Sequence, residues 1–264
     1  MENELRLAVL IDAENFSSKY VKQLFDEIVE DGHATIRRVY GGWSAPQLKP
    51  WQTVLEAYSI STKQECCFSV GKSSSDSAMI IDAMDILYGG VIDGFCIASS
   101  DGDFTNLARR LREAGKLILG AGENKTPKAF VNSCNRFIYV DLLGTESAQK
   151  SKQKKLPLRS DAAQAEEPDF TEDIGPTPLA TIKDELLRYF DGKASLGVDR
   201  RAYLGTIGAH LRKKHPDFDC RNYKCRTLVQ LVKTFDNFEI EEVPSEANPK
   251  AKAIYVVYKS PDND

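Results

Sequence analysis

Apolar runs of strand length alternate with stretches of helical period through the first half of the chain. Residues 5–11 are apolar, and Tyr20, Val21, Leu24, Phe25 and Ile28 then recur at helical spacing. The same reading predicts strands over 35–40, 65–70, 91–98, 116–120 and 137–142. Between them it predicts a helix around Trp51, Val54, Leu55 and Tyr58, and one opened by Asp76 with Met79, Ile80, Ala83, Met84 and Leu87 sharing a face. A third runs through Leu107, Ala108 and Leu111 to a terminating Gly115, and a short fourth has Pro127 near its first turn. Alternation of this kind implies an α/β domain over residues 1–143, a doubly wound parallel sheet.

Three of these units repeat one design, an apolar strand running into an acid and then a helix. Asp12 follows the first run, Asp76 follows the stretch 65–75, and Asp101 and Asp103 follow 91–98 with Gly102 between them. Parallel strands bring their carboxyl ends to one edge, where ligands of open α/β sheets bind. Asp12, Asp76, Asp101 and Asp103 are therefore expected to converge. Clustered carboxylates repel unless a hard divalent cation holds them, and all-oxygen ligation favours Mg²⁺ or Mn²⁺. The alternative is that Asp101 or Asp103 only caps the helix it precedes.

Composition narrows the classes. Hydrophobic residues make up 42% of the chain, enough for two cores, and the formal net charge of −4 gives no global nucleic-acid signature. No stretch reaches the length of a membrane span, and the acidic Met1-Glu2-Asn3-Glu4 is unlike a signal peptide, so a cytoplasmic protein without membrane contact is expected. The 6 cysteines read as buried free thiols. None of His33, His210 and His215 stands beside a Ser or Cys nucleophile in the acidic half, which leaves triad chemistry without support. A phosphatase of the haloacid-dehalogenase type needs Asp two residues after Asp12, where Glu14 stands.

Residues 144–178 change character. A basic part with Lys150, Lys152, Lys154, Lys155 and Arg159 precedes an acidic part with Glu166, Glu167, Asp169, Glu172 and Asp173. Little apolar surface is available to order it, so it reads as a flexible linker. Residues 179–260 carry three helical patterns, led by Ile182, Leu186 and Phe190, then Tyr203, Leu204, Ile207 and Leu211, then Leu228, Leu231, Val232 and Phe235. Two strand-like runs over 238–243 and 253–258 follow, and three helices plus a hairpin make a winged helix. Arg212, Lys213, Lys214, Arg221 and Lys224, with Tyr223 interleaved, suit phosphate contact and base stacking on RNA. Winged helices also take protein partners, and a second copy of the chain is among those considered.

The motifs Val9-Leu10-Ile11-Asp12-Ala13-Glu14-Asn15, the stretch 72–85, the stretch 99–104, and 120–137 with Thr126-Pro127 and Cys134 resemble the bacterial NYN domain, a branch of the PIN-like nucleases. That resemblance implies a metal-dependent ribonuclease in which Asp12, Asp76, Asp101 and Asp103 hold Mg²⁺ or Mn²⁺, supported by Asn15. Asp82 also fits the motif but lies on another helical face from Asp76, and Lys72, Ser99 and Ser100 are further supporting candidates. The carboxy-terminal region resembles a LOTUS or OST-HTH domain through Leu204 to Leu211, His215-Pro216-Asp217-Phe218 and Arg221-Asn222-Tyr223. Lys224 stands where that resemblance leads one to expect glycine. The two together imply an RNA hydrolase with a separate RNA-binding module; the alternative is a NYN scaffold that binds RNA or protein without cutting.

Overall fold

The computed structural model describes residues 4–42, 49–63, 74–143, 174–195, 200–244 and 252–259. Strands β1 (Arg6–Asp12), β2 (His33–Tyr40), β3 (Ser61–Lys63), β4 (Gly94–Ala98), β5 (Leu117–Gly122) and β6 (Arg136–Tyr139) form one sheet in the order β3-β2-β1-β4-β5-β6. Every pairing in it is parallel. The order reverses between β1 and β4, the place where open α/β sheets leave a crevice at their strand carboxyl ends.

Helices cover both faces, which is why the central strands are apolar throughout rather than alternating. On one face α1 (Val21–Ile28), α2 (Trp51–Tyr58) and α6 (Val140–Leu143) pack with Val9, Ile11, Cys96 and Leu119. On the other, α3 (Ser74–Tyr88), α4 (Thr105–Glu113) and α5 (Lys128–Ser133) pack with Ala8, Leu10, Phe95 and Ile97. Gly120 admits the closest approach: a Cβ there would lie 2.4 Å from Phe137 and 2.7 Å from the Cys134 sulfur.

The doubly wound parallel sheet is as expected, with differences at its margins. The strand expected over 65–70 lies outside the described residues, and the strand that pairs with β2 is Ser61–Lys63. The last expected strand ends at Tyr139 and turns into α6, where the Asp141 carboxylate accepts the Asn124 amide at 3.1 Å and fixes the turn. Ile80 and Met84, expected on the buried face of α3, lie at its margin: Ile80 is exposed and Met84 half-buried, while Met79, Ala83, Ile86 and Leu87 fill the core.

Beyond the sheet, α7 (Leu179–Ser195), β7 (Arg201–Tyr203), α8 (Leu204–Lys214), α9 (Leu228–Val232), β8 (Phe238–Pro244) and β9 (Lys252–Tyr258) form the expected winged helix. Its core gathers Ile182, Leu186, Phe190, Ile207, Leu211, Leu231 and Val256. The unforeseen β7 adds a third, antiparallel strand beside β9. Lys224 adopts φ 60°, ψ 24°, the left-handed conformation that favours glycine.

This second domain is docked on the first. At the free edge of β6 the Phe137 amide donates to the Pro216 carbonyl at 2.9 Å, so the winged helix covers an edge that would otherwise be open to pairing. Lys128 pairs with the buried Asp217 at 2.7 Å, and the Glu27 carboxylate accepts both Arg221 Nη1 at 2.6 Å and Arg136 Nη2 at 2.9 Å. A cavity of about 650 Å³ remains between the domains, lined by Arg136, Phe137, Pro216 and Asn222 among others. Residues 144–173, most of the expected flexible linker, lie outside the described residues. At its described end, Ile174 bridges to Pro127 and the Gly175 carbonyl accepts the Tyr139 hydroxyl at 3.0 Å, so these two residues lie against the sheet domain, whereas Thr177 bonds to Asp217 of the winged helix.

Candidate active site

Asp12 ends β1 with its side chain buried, 1% exposed. Its Oδ1 accepts the amides of Glu14 at 3.0 Å and Asn15 at 3.2 Å, and its Oδ2 accepts the Ser99 hydroxyl at 2.8 Å. Ser99 follows β4, so this bond crosses the point where strand order reverses. The Ser99 oxygen in turn accepts the Asp101 amide at 3.0 Å, and Asn15 Nδ2 approaches Asp101 Oδ2 at 3.5 Å. Asp12, Asn15, Ser99 and Asp101 are thus one connected group at the strand carboxyl ends.

Lone pairs divide the two acids. A carboxylate has about four acceptor sites. Asp12 has spent three of them, leaving one on Oδ2. Asp101 has given Oδ1 to the Asp103 amide at 2.9 Å, which makes it the N-cap of a 3-10 turn over Gly102–Phe104, and among the described residues its Oδ2 meets only the long Asn15 contact. Capping and ligation are therefore compatible in Asp101, because they use different oxygens. Asp103, the other capping candidate, lies exposed in the first turn. Ser100 faces elsewhere: its hydroxyl accepts the Glu123 amide at 3.0 Å, tying the loop after β5 to the loop after β4.

Asp76 lies half-buried in the first turn of α3, whereas Asp82, further along, is engaged by β2. It accepts Arg38 Nη1 at 2.5 Å and the Tyr40 hydroxyl, both from β2. Burial and then this bond to Asp82 push the Tyr40 phenol far above its ordinary pKa. The same Tyr40 accepts the Ala13 amide at its carbonyl, so Asp82 steadies the loop that carries Asp12. Lys72 lies outside the described residues. Among the described residues no three Asp, Glu, His or Cys side chains come close enough to hold a metal ion between them. The carboxylates linked through Ser99 and Asn15, those of Asp12 and Asp101, are hard oxygen donors. They suit Mg²⁺, which is commonly held by one or two carboxylates with waters and substrate phosphates rather than by an all-protein cage.

Among the described residues, the thiols and hydroxyl nearest this group are poor nucleophiles. Ser99 is fully buried and donates to Asp12. Burial holds the Cys96 thiol far above its ordinary value and pushes Cys134 up to about 12.

On the winged helix the expected RNA-binding residues separate. Arg212, Lys213, Lys214 and Lys224 are exposed, with Lys214 3.9 Å from Glu185. Arg221 forms a two-pronged pair with Glu27 and also holds Asp219 at 2.6 Å, so its guanidinium is engaged between the domains. The Tyr223 hydroxyl donates to the Thr177 carbonyl at 2.8 Å. Sequence reading missed Lys128, Asp217 and Glu27 as docking residues. Asp217 stands inside the motif His215-Pro216-Asp217-Phe218, but nothing in sequence spacing pairs it with Lys128, 89 positions away.

Residues 6–143 match the family described as NYN domain. The chain belongs to the NYN family. Residues 178–249 of this NYN protein match the OST-HTH/LOTUS domain. The NYN domain is a nuclease-type domain and OST-HTH/LOTUS an RNA-binding one, so an RNA-related function fits the pair. Among curated proteins none matches the chain. Among solved structures, a protein of unknown function from Vibrio parahaemolyticus is similar at 16% identity and a TM-score of 0.45, over 53% of this chain and 96% of that one. No helix among the described residues is long and apolar enough to cross a membrane.

Proposed function

We propose that the protein is a metal-dependent ribonuclease that hydrolyses RNA phosphodiesters with water as nucleophile, the RNA being held in part by the OST-HTH domain. The observation that carries this reading is the hydrogen-bonded group of Asp12, Asn15, Ser99 and Asp101 at the strand-order reversal. Asp101 Oδ2 and the remaining lone pair of Asp12 Oδ2 are the donors offered to Mg²⁺ or Mn²⁺, with Asp76 and Asp103 at neighbouring helix starts. Bound there, the ion would lower the pKa of a water and offset charge on the phosphate. Ser99 fixes the orientation of Asp12, and Asn15 steadies Asp101. Among the described residues the buried Cys96 and Cys134 thiols and Ser99 are unsuited to attack, which favours water as the nucleophile.

The test compares wild type, Asp12→Asn and Asp101→Asn on single-stranded RNA with Mg²⁺, Mn²⁺ or EDTA. Loss of a charged ligand should lower cleavage by orders of magnitude, with the larger fall for Asp101→Asn because Asp101 has more free acceptor sites. Cutting that survives EDTA and both substitutions refutes the mechanism. A second reading, an RNA-binding scaffold that does not cut, draws on the near-complete burial and triple engagement of Asp12. Binding without any metal-dependent cutting by wild type would favour it.

A further inference from the structure

Helices α3 and α4 both start beside the crevice and pack on the same sheet face. Their mutual orientation follows from two contacts. Asp82 reaches back to Arg38 and Tyr40 of β2, so that flank of α3 faces β2. Tyr88 instead meets Arg110 of α4, hydroxyl to Nη2 at 3.3 Å, so the opposite flank faces α4. On that second flank Ile80, Met84 and Tyr88 follow one another at i, i+4 and i+8. Ile80 is 36% exposed and Tyr88 73%, with Val91 just beyond at 55%. α4 meets this flank through Arg110; Asn106, one turn earlier, and the adjacent Arg109 are also exposed.

An apolar row ending in an open aromatic thus runs beside a pair of arginines, and the helices that carry them have Asp76 and Asp103 at their starts. Arg110 lies seven residues beyond Asp103, about 10 Å along the helix. Apolar and aromatic side chains for base faces, with cations for the backbone, are the features of a single-strand binding track. A duplex hides its base faces and has no use for the apolar row.

We propose that the seam between α3 and α4 is the path by which single-stranded RNA reaches the Asp12 and Asp101 crevice, with its backbone on Arg109 and Arg110 and bases against Ile80, Met84 and Tyr88. This rests on the ribonuclease reading. The path belongs to the NYN domain and is separate from the OST-HTH basic surface.

The experiment measures binding of a labelled single-stranded RNA by fluorescence anisotropy across a salt series, in full-length protein carrying Asp101→Asn so that RNA stays intact. Removing two phosphate contacts with Arg109→Gln/Arg110→Gln should weaken binding about tenfold or more and make the log–log salt slope shallower by about 1.4. Tyr88→Ala should weaken binding by about tenfold with little change in that slope, since stacking releases no counterions. Arg109→Gln alone, which leaves the Tyr88 contact intact, should reproduce about half the slope change. If the Asp101→Asn protein fails to bind RNA, the ribonuclease reading itself is in trouble. If it binds and the arginine and tyrosine variants bind equally well with the same slope, the path is wrong. Poly-glutamate competing as well as RNA, with Tyr88→Ala without effect, would assign the surface to an acidic protein and overturn the proposal.

Discussion

Replacing Lys128 by Met keeps most of the side-chain stem and removes the ammonium from a carboxylate that is 1% exposed. Breaking a buried pair by deleting one partner costs about 3–5 kcal/mol, because the remaining charge is stranded. Asp217 is not wholly stranded here. It still accepts the Thr177 amide and hydroxyl, both at 2.7 Å, and the 14% exposure of Lys128 marks a route for water. We therefore expect a loss of about 2–3 kcal/mol, against about 0–1 kcal/mol for an exposed pair. Urea unfolding at neutral pH reads the magnitude, and hydrogen exchange at the Thr177 amide reads it locally. Adding Asp217→Asn to Lys128→Met should recover part of the loss, since no uncompensated charge then remains. The pair also sets an acid limit. Burial raises the Asp217 pKa, but the bonds from Lys128 and Thr177 outweigh it and the folded value lies below the unfolded one. Its stabilisation is complete above the unfolded value of about 4 and is lost as pH falls through the folded value. Lys128→Met should accordingly flatten the stability-against-pH curve below about pH 4. A loss under about 0.5 kcal/mol with unchanged Thr177 exchange would refute the claim that this contact holds the domains together.

Two further substitutions probe the same framework. Glu27→Gln removes the charge shared by Arg221 and Arg136, whose other partners are Asp219 and Asp31; docking should weaken by about 1–2 kcal/mol, seen as faster exchange of the Phe137 amide that donates to Pro216. Gly120→Ala forces a methyl group against Phe137 and Cys134 and should cost about 1–3 kcal/mol, lowering the melting temperature by several degrees without changing RNA affinity.

The strand-acid-helix units were legible because burial on both faces makes the central strands apolar from end to end. Asp12 and Asp101 could be assigned to one edge for that reason alone. What sequence could not supply was how each acid is used. Asp82 sits in the same helix as Asp76, yet two residues of β2 claim its carboxylate. The basic residues of the winged helix were equally ambiguous, since Arg221 and Lys213 read alike as surface cations and only the position of Glu27, 194 residues from Arg221, separates them. The margin of α3 escaped for a related reason. Helical period places Ile80 and Met84 on the same flank as buried neighbours, and how far a flank is covered depends on where the next helix sits.

Docking changes how the second domain assists the first. A long tether raises the local concentration of a substrate without fixing its approach. Here α5 and β6 hold the winged helix, and Ile174 bridges to Pro127, which stands against Gly102 between Asp101 and Asp103: a Cβ on that glycine would lie 3.2 Å from the proline ring. One strand, β5, separates β6 from β4, so the covered edge lies about 10 Å from the strand that delivers Asp101. If RNA is held on the exposed Arg212, Lys213 and Lys214, as the ribonuclease reading has it, docking offers it to the crevice at a set offset. On the ribonuclease reading, cleavage position should follow from that offset, and loosening the Lys128 and Glu27 contacts should broaden the distribution of products while leaving the Asp12 and Asp101 group intact.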